Sequence, residues 1–322
     1  MLKDYIQLAL VAGSALTLTV SCGQREVSWE TNYDAALQQA KARGSFVLVD
    51  FTGSDWCPYC IQLKQNVLST KAFEEYAAKN KLVLLELDFL RTPGQLTQER
   101  AQELERVREL YQVNGFPTVI LLDGDGYEFA RFVGSAPNPE VYIEGLQKAL
   151  AAKRAYDKAL AGTAKLSGEQ KAAALMAALE CLPEECRLSQ KEVVAEIISL
   201  DPEDKYGYKR ITEEKALFEA QKKEIMEMMA RFRSKVDESD VKSACADALE
   251  MLKREDWLPT MRLMLNKYVS DCYALLKDLP QAMTYLKAAI DSAPDSPEAE
   301  TLRAWLDHLE KNIAKPVAED PH

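Results

Sequence analysis

The segment Trp56-Cys57-Pro58-Tyr59-Cys60 directly follows an apolar run, Phe46-Val47-Leu48-Val49-Asp50-Phe51. A short apolar run of this kind reads as a buried strand, and a proline just inside a helix start has no N–H that the helix needs. The pattern therefore sets two thiols three residues apart where a strand passes into a helix. Cys57 is expected at the N-cap and facing outward, with Pro58 at the first helical position. Cys60 is expected one turn behind, close enough to close a disulfide. Unpaired N–H groups and the positive end of a helix favour an anion. A free thiol titrates at about 8.5, whereas dithiols of this spacing at helix starts fall to roughly 3.5–7.5. A second signal lies downstream, where Gly115-Phe116-Pro117-Thr118 opens another apolar strand, Val119-Ile120-Leu121-Leu122.

The chain around these motifs alternates strand and helix. A strand at 27–30 leads to a helix over 31–43, which Gly44 stops. The strand ending at Phe51 precedes a helical region from Pro58 to about Lys79 and a strand over 82–89. A charged helix at about 95–111 then leads to the strand 118–122. Asp123-Gly124-Asp125-Gly126 reads as a hairpin turn, Tyr127 to Val133 returns as a strand ending at Gly134, and a helix starts near Pro139. This order predicts an α/β domain over 27–150, a mixed central sheet flanked by helices. From 151 the composition turns to Ala, Leu, Glu and Lys with helical spacing. Helices are expected near 168–181, 189–199, 209–236, 238–252, 258–277, 280–292 and 297–314, giving an all-α domain over 151–315 and a tail over 316–322.

The motifs together resemble the thioredoxin family, and the resemblance implies thiol–disulfide exchange. On that basis Cys57 is the nucleophile and Cys60 the resolving thiol. Asp50 is the buried acid that moves a proton to or from Cys60. Pro117 is the cis-proline packed against the sulfurs, and the backbone at Phe116 pairs with an extended substrate segment. Trp56 stands beside the nucleophile, and Gly134 leaves room for a substrate backbone. The stretch Asp50-Phe51-Thr52-Gly53-Ser54-Asp55-Trp56-Cys57 has a longer strand-to-motif loop than common thioredoxins. It resembles an exported branch related to the soluble domain of thiol:disulfide interchange proteins. The pair Pro58-Tyr59 departs from the family's Gly-Pro and equals that of glutaredoxins, and Tyr59 lacks an imidazole; a potential between roughly −270 and −120 mV is expected. Near the C-terminus Tyr273, Ala282, Leu286, Ala289 and Pro294 resemble one tetratricopeptide-type helix pair, with Ser270 in place of its glycine. A generic helical hairpin has the same small residues where helices cross.

At 322 residues and 47% hydrophobic content the chain suits two domains. A net charge of −11 argues against nucleic acid as a partner and for a solvated acidic surface. Two histidines, His308 and His322, leave no imidazole near the thiols for metal binding or Cys-His catalysis. Lys3 and the apolar stretch from Ile6 to Val20, short for a membrane span, read as an export signal. Leu18-Thr19-Val20-Ser21-Cys22-Gly23 resembles a bacterial lipoprotein signal over 1–22 with Cys22 lipidated, although Thr19 stands where leucine is usual. Cleavage by an ordinary signal peptidase and an uncleaved anchor are the alternatives.

Seven cysteines leave six once Cys22 is set aside, and in an oxidising compartment these can pair as Cys57–Cys60, Cys181–Cys186 and Cys245–Cys272. The alternative is that the last four are buried thiols. The expectation is an exported, periplasmic, lipid-anchored protein-disulfide oxidoreductase, without cofactor or metal and with the direction of electron flow open. Its partners are protein thiols and disulfides and an upstream thiol–disulfide donor or acceptor. Two rivals are a zinc site built from Cys57, Cys60, Cys181 and Cys186, and a chaperone-like protein whose helical domain binds clients.

Overall fold

A computed structural model describes residues 28–92, 94–230 and 238–313. The expected export signal, Cys22 and the tail at 316–322 lie outside the described residues. The chain divides into two compact units, with the boundary between Leu200 and Asp201.

The first unit is built on five strands: β1 (Trp29–Glu30), β2 (Val47–Thr52), β3 (Val83–Asp88), β4 (Thr118–Leu122) and β5 (Glu128–Val133). Their order is β1-β3-β2-β4-β5. β3 runs parallel to β1 and β2, while β4 is antiparallel to β2 and β5. This is the mixed sheet expected from the sequence. Every residue of β2 is buried. A central strand covered on both faces buries both of its side-chain rows, so it reads as a nearly continuous apolar run without alternation, broken here by Asp50 and Thr52. Helices α1 (Tyr33–Arg43) and α4 (Gln98–Leu110) pack on one face, where Val47, Val49 and Phe51 join Val83, Leu85, Leu87, Ile120 and Leu122. By the period of two, Leu48 and Asp50 point to the opposite face. Asn32 caps α1 by accepting from the Ala35 N–H at 2.8 Å, and Gly44 closes it at φ +57°.

The helical stretch after Pro58 is not one helix. It divides into α2 (Pro58–Leu63), a π turn (Lys64–Leu68) and α3 (Lys71–Lys79). Thr70 has extended backbone and caps α3 through the Phe73 N–H, and this restarts the helix. A second difference concerns the domain boundary. Helix α5 (Pro139–Gly162) runs straight through residues 150–151, because no breaker stands there and its far half still buries Lys153 and Tyr156. Lys153 there is 5% exposed and pairs with Asp123 at 3.4 Å and with Asp157. Three further helices belong to this unit: α6 (Gly168–Leu179), α7 (Glu184–Arg187) and α8 (Lys191–Leu200). Gln190, before α8, donates to the Glu128 carbonyl of β5 at 2.9 Å. The change of composition at 151 thus marks the end of strand-forming sequence, while the first compact unit extends fifty residues further.

The second unit contains α9 (Tyr208–Ala230), α10 (Glu238–Leu252), α11 (Pro259–Leu275), α12 (Leu279–Ser292) and α13 (Pro297–Ile313). Its core gathers Ile225 and Met228 of α9, Val241, Ala244 and Ala248 of α10, and Met261, Leu265 and Val269 of α11 around Trp257. α11 and α12 form a helical hairpin. Ser270, in the position expected for glycine, is 1% exposed and donates to the Ala282 carbonyl of α12 at 2.7 Å. A small residue lets the helices approach, and its hydroxyl is satisfied where they do.

Gln190 is 2% exposed, so Gln190→Ala leaves the Glu128 carbonyl without that partner. The expected loss is about 1–3 kcal/mol from the first unit, read by denaturant unfolding. An unchanged midpoint would show that the segment after α7 adds nothing to the stability of the sheet.

Candidate functional site

Cys57 is the N-cap of α2, with extended backbone and Pro58 at the first helical turn. Its Sγ accepts from the Cys60 N–H at 3.2 Å and is bonded to the Cys60 sulfur, the two Cα atoms lying 5.2 Å apart. Junction, cap and pairing agree with the sequence reading. The outward-facing Cys57 does not, since it is 4% exposed and Cys60 2%. The reason is local: in the disulfide the Cys57 side chain turns back over the helix start to reach Cys60.

The loop before the motif is held by polar contacts of unusual density. The Cys57 N–H donates to the Gly53 carbonyl at 2.8 Å. A Cβ on Gly53 would lie 2.4 Å from the Trp56 ring, so only glycine admits the indole here. Ser54 donates from its N–H and hydroxyl to Asp88 at the end of β3. Asp55 accepts from the backbone N–H groups of Arg91 (3.1 Å) and Thr92 (2.7 Å) and from the Thr92 hydroxyl. Those donors hold the Asp55 carboxyl below its ordinary range, the Thr92 hydroxyl foremost. Trp56 donates from Nε1 to the Phe89 carbonyl at 2.7 Å. Its ring meets Phe116 edge-on at 5.6 Å and lies 3.6 Å from the Arg91 guanidinium. Gly53, Asp55 and Arg91 were not singled out from the sequence; Gly53 was visible only as a letter of the motif.

On the other side, Phe116–Pro117 is a cis peptide bond. The Pro117 carbonyl accepts from the Gly134 N–H at 2.9 Å. Gly134 has φ +87°, and nothing lies within 4 Å of where its Cβ would stand. Backbone conformation therefore demands glycine at this position, and open space adjoins it. Ser135 donates to Gln62 of α2 at 2.9 Å, tying this turn to the helix that carries Cys60. Tyr59 (64%) and Val133 (72%) are exposed apolar side chains on these same elements.

Asp50 is 2% exposed, and its Oδ1 is buried with no hydrogen-bond partner. Burial first, then the neighbouring carboxylate of Glu86, pushes its carboxyl up to about 7, with Lys64 opposing and Asp88 adding to the rise. Glu86 is the cross-strand partner of Asp50, and Lys64 of the π turn pairs with it at 2.5 Å. Tyr142 of α5 also feels the Asp50 charge, and burial raises its phenol well above the ordinary range. Its hydroxyl, too, is buried without a partner. Sequence inspection found Asp50 but not Glu86, Lys64 or Tyr142, because a cross-strand register and a π turn carry no local motif.

Among the described residues Cys181, Cys186, Cys245 and Cys272 are free thiols, the alternative to the two disulfides that cysteine parity allows. Cys181 and Cys186 do not approach each other. Cys181 Sγ donates back to the Ala177 carbonyl of its own helix at 3.7 Å, while Cys186 is buried toward Glu128 at 4.0 Å. Desolvation, then Glu128 and Glu185, pushes the Cys186 thiol up to about 12. Cys245 and Cys272 are thiols buried in one cluster where α10 packs on α11.

The raised carboxyl of Asp50 has a consequence for stability. The folded state keeps its proton up to about pH 7, whereas an unfolded aspartate releases it near 4. Stability is therefore full below the unfolded value and drains away as pH rises through the folded one. Asp50→Asn should be more stable than the parent by on the order of 4 kcal/mol above pH 8, with the difference vanishing toward pH 4. Denaturation midpoints across that range check this, and a constant difference would contradict it.

A family model described as a thioredoxin-like domain matches residues 33–150. Disulfide bond reductase DsbH of Chlamydia pneumoniae is 29% identical over 139 residues, 43% of this chain and 82% of that protein. Thioredoxin H-type of Oryza sativa subsp. indica is 33% identical over 104 residues, 32% of this chain and 69% of that protein. A solved structure of DsbH oxidoreductase is 28% identical, with a TM-score of 0.38, over 44% of this chain and 95% of its own. The likeness to the Oryza sativa thioredoxin, together with the thioredoxin-like domain match, shows that the chain belongs to the thioredoxin family.

Proposed function

We propose that this protein is an exported, lipid-anchored thiol–disulfide oxidoreductase that exchanges electrons with partner proteins through Cys57 and Cys60. The observation that carries the reading is the Cys57–Cys60 disulfide closed across the start of α2, with the Cys60 N–H directed at the Cys57 sulfur. In the reducing direction Cys57 attacks a substrate disulfide as a thiolate. One sulfur of the substrate bonds to Cys57 and the other leaves as a thiol. Cys60, having given up its proton, then attacks Cys57, closes the disulfide seen here and releases the second substrate thiol. Two electrons pass from the dithiol to the substrate. The Chlamydia relative, a disulfide bond reductase, favours this direction.

Asp50 is the acceptor of the Cys60 proton in this scheme, and its environment suits the task. A carboxyl brought to about 7 by burial and Glu86 can both take and return a proton near neutrality. The cis turn at Phe116–Pro117, the open space at Gly134, and exposed Tyr59 and Val133 offer an extended substrate segment a backbone edge with an apolar rim. Trp56, fixed by Phe89 and Arg91, walls the nucleophile. The upstream electron donor is a thiol–disulfide protein of the same compartment. Export and anchoring rest on the apolar stretch before Cys22 and on Cys22 itself.

Two outcomes test the chemistry. Cys57→Ser should fall to the uncatalysed rate of disulfide reduction, while Cys60→Ser should accumulate mixed disulfides through Cys57 that mass spectrometry identifies. Recovery of no adducts from cells expressing Cys60→Ser would sink the proposal. For the proton, the resolving step should accelerate as pH rises through about 7, where Asp50 ionises. Asp50→Asn should lose that inflection and slow the step by roughly 10²-fold. Stopped-flow measurement of the two profiles decides it, and superimposable curves would remove Asp50 from the mechanism.

A further inference from the structure

Arg91 follows the end of β3 and is exposed. Two contacts hold it in place. Asp55 accepts from its backbone N–H at 3.1 Å, and its guanidinium lies over the Trp56 ring, 3.6 Å from the centroid. Trp56 is itself fixed, by donation from Nε1 to the Phe89 carbonyl and by its edge-on contact with Phe116. Arg91 therefore rests on an aromatic platform that reaches from the residue before Cys57 to the residue before the cis-proline.

The guanidinium has a position but no acid. Both carboxylates of this loop are occupied by neutral donors. Asp55 takes the N–H groups of Arg91 and Thr92 and the Thr92 hydroxyl, and Asp88 takes the N–H and hydroxyl of Ser54. Among the described residues no carboxylate pairs with the Arg91 guanidinium, whereas Arg100, Arg131 and Arg254 each pair with a glutamate. A guanidinium is a planar fork of five N–H donors that matches a carboxylate through two parallel bonds. With its face on the indole, the donors at its edge remain for an acceptor from outside the chain.

Resting on the reading that Cys57 exchanges disulfides, we propose that Arg91 selects substrates by pairing with a carboxylate in the extended segment that bears the substrate cysteine. The preferred partner is a protein disulfide with an aspartate or glutamate close to one of its cysteines. That carboxylate meets the Arg91 fork beside Trp56 while the neighbouring sulfur meets Cys57. The net charge of −11 opposes an acidic partner at a distance, but screening limits the repulsion to about 8 Å at physiological ionic strength. The pairing acts at contact. Arg91 takes no part in the bonds made and broken, so the transfer of two electrons proceeds as described above.

The test uses the reduced full-length chain and two synthetic peptides, each closed by one disulfide. They differ only in carrying glutamate or glutamine on both sides of one cysteine. The second-order rate of opening is measured for each peptide with the parent, Arg91→Met and Arg91→Glu. Methionine keeps an apolar stem over the indole and removes the charge. The glutamate-to-glutamine ratio is taken within each variant, so a general loss from a looser Trp56 cancels. The parent's ratio should exceed that of Arg91→Met by roughly five-fold, and Arg91→Glu should lower it further. Equal ratios in the parent and Arg91→Met, with both peptides still opened, would overturn the proposal and leave the exchange at residues 57 and 60 intact. A reduced chain that opens neither peptide would instead overturn the exchange itself, and the selection with it.

Discussion

The Cys60 N–H pointing at the Cys57 sulfur, 3.2 Å away, is the contact around which the first unit is arranged. It exists only because a fully buried strand ends one short loop before a helix begins. β2 cannot slide, since a shift of one residue would exchange its two packed faces. The position of the helix start therefore follows from the register of the sheet. Gly53 admits the Trp56 ring and receives the Cys57 N–H. Ser54 and Asp55 fasten the loop to Asp88 and to the backbone of Arg91 and Thr92. A sulfur held this way meets the unpaired N–H groups of α2 without any side-chain cation having to be placed beside it.

Beneath the dithiol the protein carries a cost that packing alone would not select. Asp50 occupies a position on β2 where its neighbours are apolar, one of its oxygens has no partner, and Tyr142 shares the same shortage. Such groups are destabilising when ionised, and the molecule responds by keeping the carboxyl protonated up to neutrality. Glu86 reinforces this, while the Lys64–Glu86 pair limits it. A stable core and a proton acceptor near pH 7 are competing demands on one side chain. That conflict supports the proposed role of Asp50 as the proton acceptor for Cys60.

Much of this was legible in the linear chain because it rests on periodicity and on fixed spacing. The largely apolar, fully buried β2, the two thiols with proline between them, and the proline before β4 are local patterns with direct geometric meaning. The hairpin and most helices of the second unit followed for the same reason. What escaped depends on tertiary neighbours. Nothing local pairs Glu86 with Asp50, sends α5 past residue 151, or docks Gln190 on β5. Thr70 could have been recognised as a cap splitting the helix after Pro58, since threonine before a charged apolar stretch is a start signal. Counting cysteines proposed two pairs in the helical sequence, and all four of these residues are free thiols in the structure, because parity carries no information about direction.

The central physical claim is that the helix start makes the sulfur at position 57 an anion more readily than a free thiol. The most direct measurement is the rate of iodoacetamide alkylation of Cys57 in the reduced, folded protein as pH is varied, read by mass spectrometry of its peptide. The account predicts that alkylation stays fast well below about 8.5, the ordinary value for a free thiol, and slows to the free-thiol profile on unfolding. A folded protein whose Cys57 follows the free-thiol profile, or resists alkylation until it unfolds, would contradict it.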